Sequence, residues 1–119
     1  MQKLLIALLC VTTMAMSCRS LTSTTYIKPR QSFVLGQGKH GGYTINLKNK
    51  SRQEVTIRQI ALDGALISST VANPKQSLSV DVPKNTTLQI VNASDKQAQV
   101  ALKLIGDTNL SMGYEGGYQ

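Results

Sequence analysis

The chain has 119 residues, of which 41% are hydrophobic, 16% charged and 4% aromatic, and its formal net charge is +7. This length suits one domain and is too short for two, and the apolar content is well above that of disordered chains. With one Phe, four Tyr and no Trp, the core has to be built from Ile, Leu and Val. The net charge favours anionic partners without identifying them.

Residues 1–17 have the layout of an export signal. Lys3 supplies a short basic start, residues 4–11 form an apolar run, and residues 12–17 taper into small side chains. That order is typical of a secretory signal. The apolar run is shorter than the roughly 20 residues that a membrane-spanning helix needs. Because Arg19 also follows closely, the pattern disfavours an uncleaved membrane anchor.

Cys18 is the candidate modification site. The segment Ala15-Met16-Ser17-Cys18 resembles a bacterial lipobox, and the resemblance implies that Cys18 becomes the first mature residue and carries acyl chains such as palmitate. Ala15 and Ser17 would equally satisfy an ordinary signal peptidase, which leaves a secreted protein as the alternative. Since Cys10 lies inside the apolar run, cleavage leaves Cys18 without a disulfide partner, and this favours acylation.

Residues 18–25 follow the cleavage site. They are rich in Ser and Thr, so the sequence predicts a lipidated cysteine followed by a short solvated tether. The folded domain is predicted over residues 26–112. Residues 113–119 are Gly- and Tyr-rich, which predicts a flexible tail; the alternative is a segment that pairs with a partner's sheet edge or stacks its tyrosines on a glycan.

The folded segment alternates apolar and polar residues with a period of two, as half-buried strands do. Ala98, Val100, Leu102 and Leu104 give the cleanest run. Ile60 and Leu62 fall one step out of phase with the strand before them, which predicts a bulge or a strand crossing near Arg58 and Gln59. About 7–9 short strands separated by turns predict an all-β antiparallel sandwich. The short loops predict that successive strands pair with each other.

Two stretches share a pattern of strand, Asn-x-Ser turn and strand, at residues 47–57 and 90–102. A third, at residues 80–88, places a proline-bearing turn before an alternating strand. These stretches resemble exported immunoglobulin-like and related β-sandwich domains, although the Cys and Trp core of antibody domains is missing. The resemblance implies an architecture and carries no function.

Residues 36–41, with the sequence Gly-Gln-Gly-Lys-His-Gly, match the glycine pattern of nucleotide-binding loops. A strand follows instead of the helix that such a site requires, so the sequence predicts a hairpin loop. His40 is the only histidine, the carboxylates are dispersed, and no serine-hydrolase motif occurs. The sequence therefore predicts no enzyme, no metal and no cofactor.

Two groups of basic residues are candidates for binding. Lys39 and His40 stand on the glycine loop, where an anion could dock. A second group lies on the stretch predicted to form one hairpin: Lys48, Lys50, Arg52 and Arg58.

These features together predict a lipid-anchored protein of the bacterial envelope, at the outer membrane and facing the periplasm or the surface. Its role is expected to be that of a non-catalytic binding or structural module. The expected partners are the membrane, through the lipid, and an anionic envelope polymer or protein; nucleic acid is not expected. One alternative is a small lipoprotein subunit of an envelope-spanning secretion or surface machine. Another is a soluble periplasmic or secreted inhibitor or glycan binder.

Overall fold

The computed structural model describes residues 20–116. Within that range the chain forms nine antiparallel strands: β1 (Ser20–Ile27), β2 (Gln31–Leu35), β3 (Tyr43–Asn49), β4 (Val55–Ile60), β5 (Leu66–Ala72), β6 (Ser77–Val82), β7 (Thr87–Asn92), β8 (Ala98–Gly106) and β9 (Met112–Gly116). None of these residues belongs to a helix long and apolar enough to cross a membrane.

The strands form two sheets that pack face to face. One sheet has the order β1-β8-β3-β6 and the other the order β5-β4-β7-β2-β9. Except for β4 and β5, strands that are consecutive in the chain lie in opposite sheets. This winding is the strand order of a jelly roll, a sandwich made of two Greek keys. The predicted all-β antiparallel sandwich is confirmed.

The predicted pairing of successive strands is wrong for all but one connection. Residues 47–57, predicted to form a hairpin, join β3 in the first sheet to β4 in the second. Immunoglobulin-like sandwiches pair several consecutive strands within one sheet, so the resemblance holds for the sandwich and not for its strand order. Because packed sheets lie only about 10 Å apart, a loop of a few residues crosses between them as readily as it closes a hairpin.

The core lies between the sheets and is made from the alternating apolar positions. The inward-facing side chains of β8 are at most 2% exposed, and Ile45 of β3 and Ile90 of β7 are fully buried. Burying an aliphatic side chain of this size stabilises the fold by about 1.5–3 kcal/mol. The register between β4 and β5 shifts between Gln59 and Ile60, which confirms the predicted bulge.

The sandwich extends beyond the predicted limits at both ends. Residues 20–25, predicted as a tether, begin β1, where Ser20 pairs with Ile105. Residues 113–116, predicted as tail, belong to β9 and pair with β2. Both strands lie at sheet edges, where backbone hydrogen bonds order a segment whose side chains are mostly exposed. Residue composition indicates which side chains are buried, so it does not reveal strands whose side chains are mostly exposed. The predicted signal, Cys18 and residues 117–119 lie outside the described residues.

Candidate functional site at the basic end of the sandwich

Four loops meet at one end of the sandwich: residues 28–30, 50–54, 73–76 and 93–97. Together they carry six exposed cationic side chains, Lys28, Arg30, Lys50, Arg52, Lys75 and Lys96. The same loops carry two carboxylates, Glu54 and Asp95, so four net positive charges remain. We call this surface the basic end.

The opposite end of the sandwich is formed by residues 36–42, 61–65, 83–86 and 107–111. Its formal charges balance, because its loops carry two lysines, Lys39 and Lys84, and two aspartates, Asp63 and Asp107. We call it the neutral end. The positive charge of the described domain is thus concentrated at one pole, where it attracts anions over a distance of about 8–10 Å at ordinary ionic strength.

Two buried asparagines organise the loops of the basic end. Asn49 and Asn92 are the last residues of β3 and β7, and both are 0% exposed. The Oδ1 atom of each accepts a hydrogen bond from the backbone N–H of the serine two positions later, at 2.9 and 3.2 Å respectively. This is an Asx turn, in which a side chain replaces a backbone acceptor. Both turns are therefore held in place from inside the protein.

The amide groups extend these contacts from one loop to the next. Asn92 Nδ2 lies 2.9 Å from the carbonyl oxygen of Ile27, at the end of β1, and 2.7 Å from that of Lys96. Gln53 Nε2 donates to the carbonyls of Lys96 and Gln97 at 3.1 and 3.0 Å. Because the loops are bonded to one another, the cations they carry have defined relative positions.

Two loops of the basic end use the same strained turn. In residues 28–31 and 73–76 the last N–H donates to the first carbonyl, at 3.1 and 3.0 Å, and proline is the second residue. The third residue has a positive φ, 60° at Arg30 and 67° at Lys75. That position of a type II turn favours Gly or Asn. A left-handed residue with a longer side chain costs about 1–2 kcal/mol, so both turns keep a cation at the expense of stability.

The second predicted group of basic residues is divided by the fold. Lys50 and Arg52 lie at the basic end, whereas Lys48 lies on the outer face of the first sheet. Arg58 lies on the outer face of the other sheet, where its Nη1 donates to Gln89 Oε1 at 3.1 Å. Because β3 and β4 belong to opposite sheets, the predicted single face does not exist.

Sequence reasoning missed four of the six cations at the basic end, namely Lys28, Arg30, Lys75 and Lys96. They stand on three loops that are distant in sequence and meet only through the jelly-roll winding. One signal could have found two of them, since Pro-basic-Gln occurs twice, at residues 29–31 and 74–76.

The other predicted pair, Lys39 and His40, lies at the neutral end. His40 Nε2 is 2.7 Å from the Thr86 carbonyl oxygen and Nδ1 is 2.6 Å from that of Gly41. The backbone N–H of His40 also donates to Asn85 Oδ1 at 3.0 Å. A carbonyl oxygen thus lies within hydrogen-bond distance of each ring nitrogen, and the ring links the glycine loop to the loop of residues 83–86. The contacts of His40 also support the loop, and docking of an anion at Lys39 and His40 stays a prediction.

Tyr43 is a buried tyrosine at the beginning of β3. Burial raises the pKa of the Tyr43 phenol well above its usual range, so that hydroxyl stays protonated. Among residues 20–116, no three side chains of the His, Cys, Asp or Glu type lie close enough to hold a metal ion. The net positive charge of the basic end attracts anions to an exposed surface.

No protein-family model and no curated protein matches this sequence. Solved structures do share its fold. The capsular polysaccharide assembling protein CapF from Staphylococcus aureus aligns with 76% of this chain, at 19% identity and a TM-score of 0.57. Procruciferin, an 11S globulin from Brassica napus, aligns with 80%, at 12% identity and a TM-score of 0.54. The aligned part is 24% of the CapF chain and 22% of the globulin, so the likeness concerns one domain and its fold alone.

Proposed function

We propose that this chain is a lipid-anchored, non-catalytic binding module of a bacterial envelope, and that its basic end captures an anionic partner. The observation that carries the proposal is the gathering of six exposed cations at the pole opposite Ser20. Two of those cations occupy turn positions where glycine would be more stable. A costly backbone conformation that keeps a charged side chain exposed supports a role for that charge in binding.

The position of the first strand determines how an anchored domain would be oriented. β1 begins with Ser20 at the neutral end and finishes with Ile27 at the basic end, and eight strand residues span roughly 25 Å. Cys18 precedes Ser20 by two residues, a reach of at most about 7 Å. An acyl group on Cys18 would hold the neutral end against the membrane and present the basic end away from it.

Metabolic labelling tests the anchor. In the native host, the full chain is expected to incorporate a clickable fatty acid, because Cys18 would carry acyl chains after cleavage. Cys18→Ala should abolish the label and release the protein from the membrane fraction. The matched control Cys10→Ala should keep both, since Cys10 lies within the removed segment. An unlabelled wild-type protein in the soluble fraction would instead favour the secreted alternative.

The strained turns give a prediction with two opposite effects. Arg30→Gly and Lys75→Gly should each raise the free energy of unfolding by about 0.5–1 kcal/mol, because glycine adopts positive φ freely. Each should also weaken binding to an immobilised anionic polysaccharide several-fold, because a cation is lost. Urea unfolding and surface plasmon resonance measure the two effects.

Asn85→Gly is the matched control for the binding measurement. Asn85 has a φ of 57° at the neutral end, and Asn tolerates that conformation. This variant also loses the hydrogen bond that Asn85 Oδ1 accepts from the His40 N–H, so it should not share the gain in stability, and it should leave binding unchanged. Stabilised Arg30 and Lys75 variants that bind as well as the wild type would exclude the basic end as the binding surface.

A further inference from the structure

A groove runs along the side of the sandwich where β1 and β9, the edges of the two sheets, come together. Its upper part lies beside the basic end, has a volume of about 440 Å³ and is lined by Tyr26, Lys28, Gln31, Gln97 and Tyr114. A second depression of about 350 Å³ shares Tyr114 and continues along the seam past Thr25 and Met112. The two together form a track that is open at the surface.

Two half-exposed tyrosines line the upper part of the track. Tyr26 is 52% exposed and Tyr114 is 54% exposed, in a chain with only five aromatic residues. The hydroxyl of Tyr114 is hydrogen-bonded to Thr25 Oγ1 at 2.8 Å, and its ring packs on Phe33 with 5.4 Å between centroids. These contacts hold the Tyr114 ring in place, so binding against it costs little further ordering.

Three polar side chains line the groove together with the tyrosines. Within residues 20–116, the side chains of Lys28, Gln31 and Gln97 make no hydrogen bond. The side chain of Gln31 lies over Gly116, where an added Cβ would come within 2.7 Å of Gln31 Nε2. Gln31 can therefore occupy this position in the groove because Gly116 has no side chain.

This combination matches the chemistry of a sugar. Each carboxamide both donates and accepts, and can therefore bond neighbouring hydroxyl groups of a pyranose. The C–H face of the ring, which carries partial positive charge, packs against the electron-rich face of a tyrosine. Lys28 adds a cation that would pair with a carboxylate on the sugar. The continuation of the track along the seam accommodates a linear chain better than a single small molecule.

We propose that this groove is a subsite for one or two residues of an acidic polysaccharide. The preference for an acidic polymer rests on the proposed function of the basic end, which the groove adjoins. Recognition of the sugar rings themselves depends on Tyr26, Tyr114 and the two carboxamides, and does not depend on the anchor.

The test compares two probes of the same linkage, β-1,4-linked tetramannuronate and β-1,4-linked mannotetraose, which differ in the carboxylate. In calorimetry with the full chain in detergent, both are expected to bind, the acidic probe more tightly. Tyr26→Ala should weaken both about fivefold to tenfold. Lys28→Ala should weaken the acidic probe alone. Lys84→Ala, a matched exposed lysine at the neutral end, should change neither.

The possible failures are distinguishable. If Tyr26→Ala binds both probes like the wild type while loss of basic-end charges abolishes binding, the groove proposal is overturned and the proposed function survives. If Tyr26→Ala weakens both probes and loss of those charges changes nothing, the groove survives and the basic end is excluded. A chain shortened to end at Gly116 gives a third outcome. If the probes bind to that chain and not to the full chain, residues 117–119 occupy the groove themselves and the proposal is overturned.

Discussion

Replacing Asn92 with alanine is expected to lower the free energy of unfolding by about 2–4 kcal/mol, the largest effect of any polar substitution at the basic end. Asn92 is fully buried, and its amide group lies 2.9 Å from the Ile27 carbonyl and 2.7 Å from that of Lys96. Its Oδ1 accepts from the Ser94 N–H and hydroxyl. Alanine would leave the buried Ile27 carbonyl without this donor and the Ser94 N–H without its acceptor, while the Lys96 carbonyl would keep its hydrogen bond from Gln53.

Chemical denaturation followed by circular dichroism measures the loss. Asn92→Asp should be about as harmful, because a carboxylate keeps the acceptor but cannot donate to the carbonyls. Asn109→Ala is the matched control, since that residue is exposed at the neutral end and should cost less than about 0.5 kcal/mol. If Asn92→Ala and Asn109→Ala had equal free energies of unfolding, the conclusion that Asn92 holds the loops of the basic end together would be wrong.

Reversing charges at the basic end is expected to lower the affinity for polymannuronate by at least about 100-fold. The triple variant Arg30→Glu, Arg52→Glu and Lys75→Glu replaces three exposed cations by three anions on one surface. Like charges would then meet at the contact. Surface plasmon resonance at low salt measures the loss, and raising the ionic strength should weaken the wild type through screening.

A second triple variant separates local charge from net charge. Lys39→Glu, Lys84→Glu and Lys103→Glu change the total charge by the same amount, but these residues lie at the neutral end and on the outer face of the first sheet. This variant should bind within about tenfold of the wild type, because only long-range attraction is reduced. Equal losses in the two triple variants would show that net charge, and not the basic end, governs binding.

Much of the fold could be predicted because the strand signal is local. The alternation of Val100, Leu102 and Leu104 follows from the two faces of one strand, and the phase change before Ile60 marks a bulge within one strand. β5 and the beginning of β1 could not be predicted in this way. They lie at sheet edges with mostly exposed side chains, and their order comes from backbone hydrogen bonds to β4 and β8.

The same distinction applies to the candidate site. Lys50 and Arg52 were predicted because they share one loop, and the spacing of Asn49 and Ser51 indicated a turn. Which sheet each strand joins decides the rest of the site. It brings four further cations beside them, Lys28, Arg30, Lys75 and Lys96. It also places Lys48 and Arg58 on the outer faces of opposite sheets. The sequence also placed His40 on a loop without showing that its ring is bonded internally.

By itself, the sequence determined that this protein has one small domain of short strands with an aliphatic core and an excess of positive charge. It also predicts an export-type segment, which makes Cys18 the candidate anchor. Only the tertiary structure decided that the strands wind as a jelly roll and that the charge collects at the pole opposite Ser20. The physical reason is that alternation within a strand reflects its own two faces, whereas strand partners depend on contacts between residues distant in the chain.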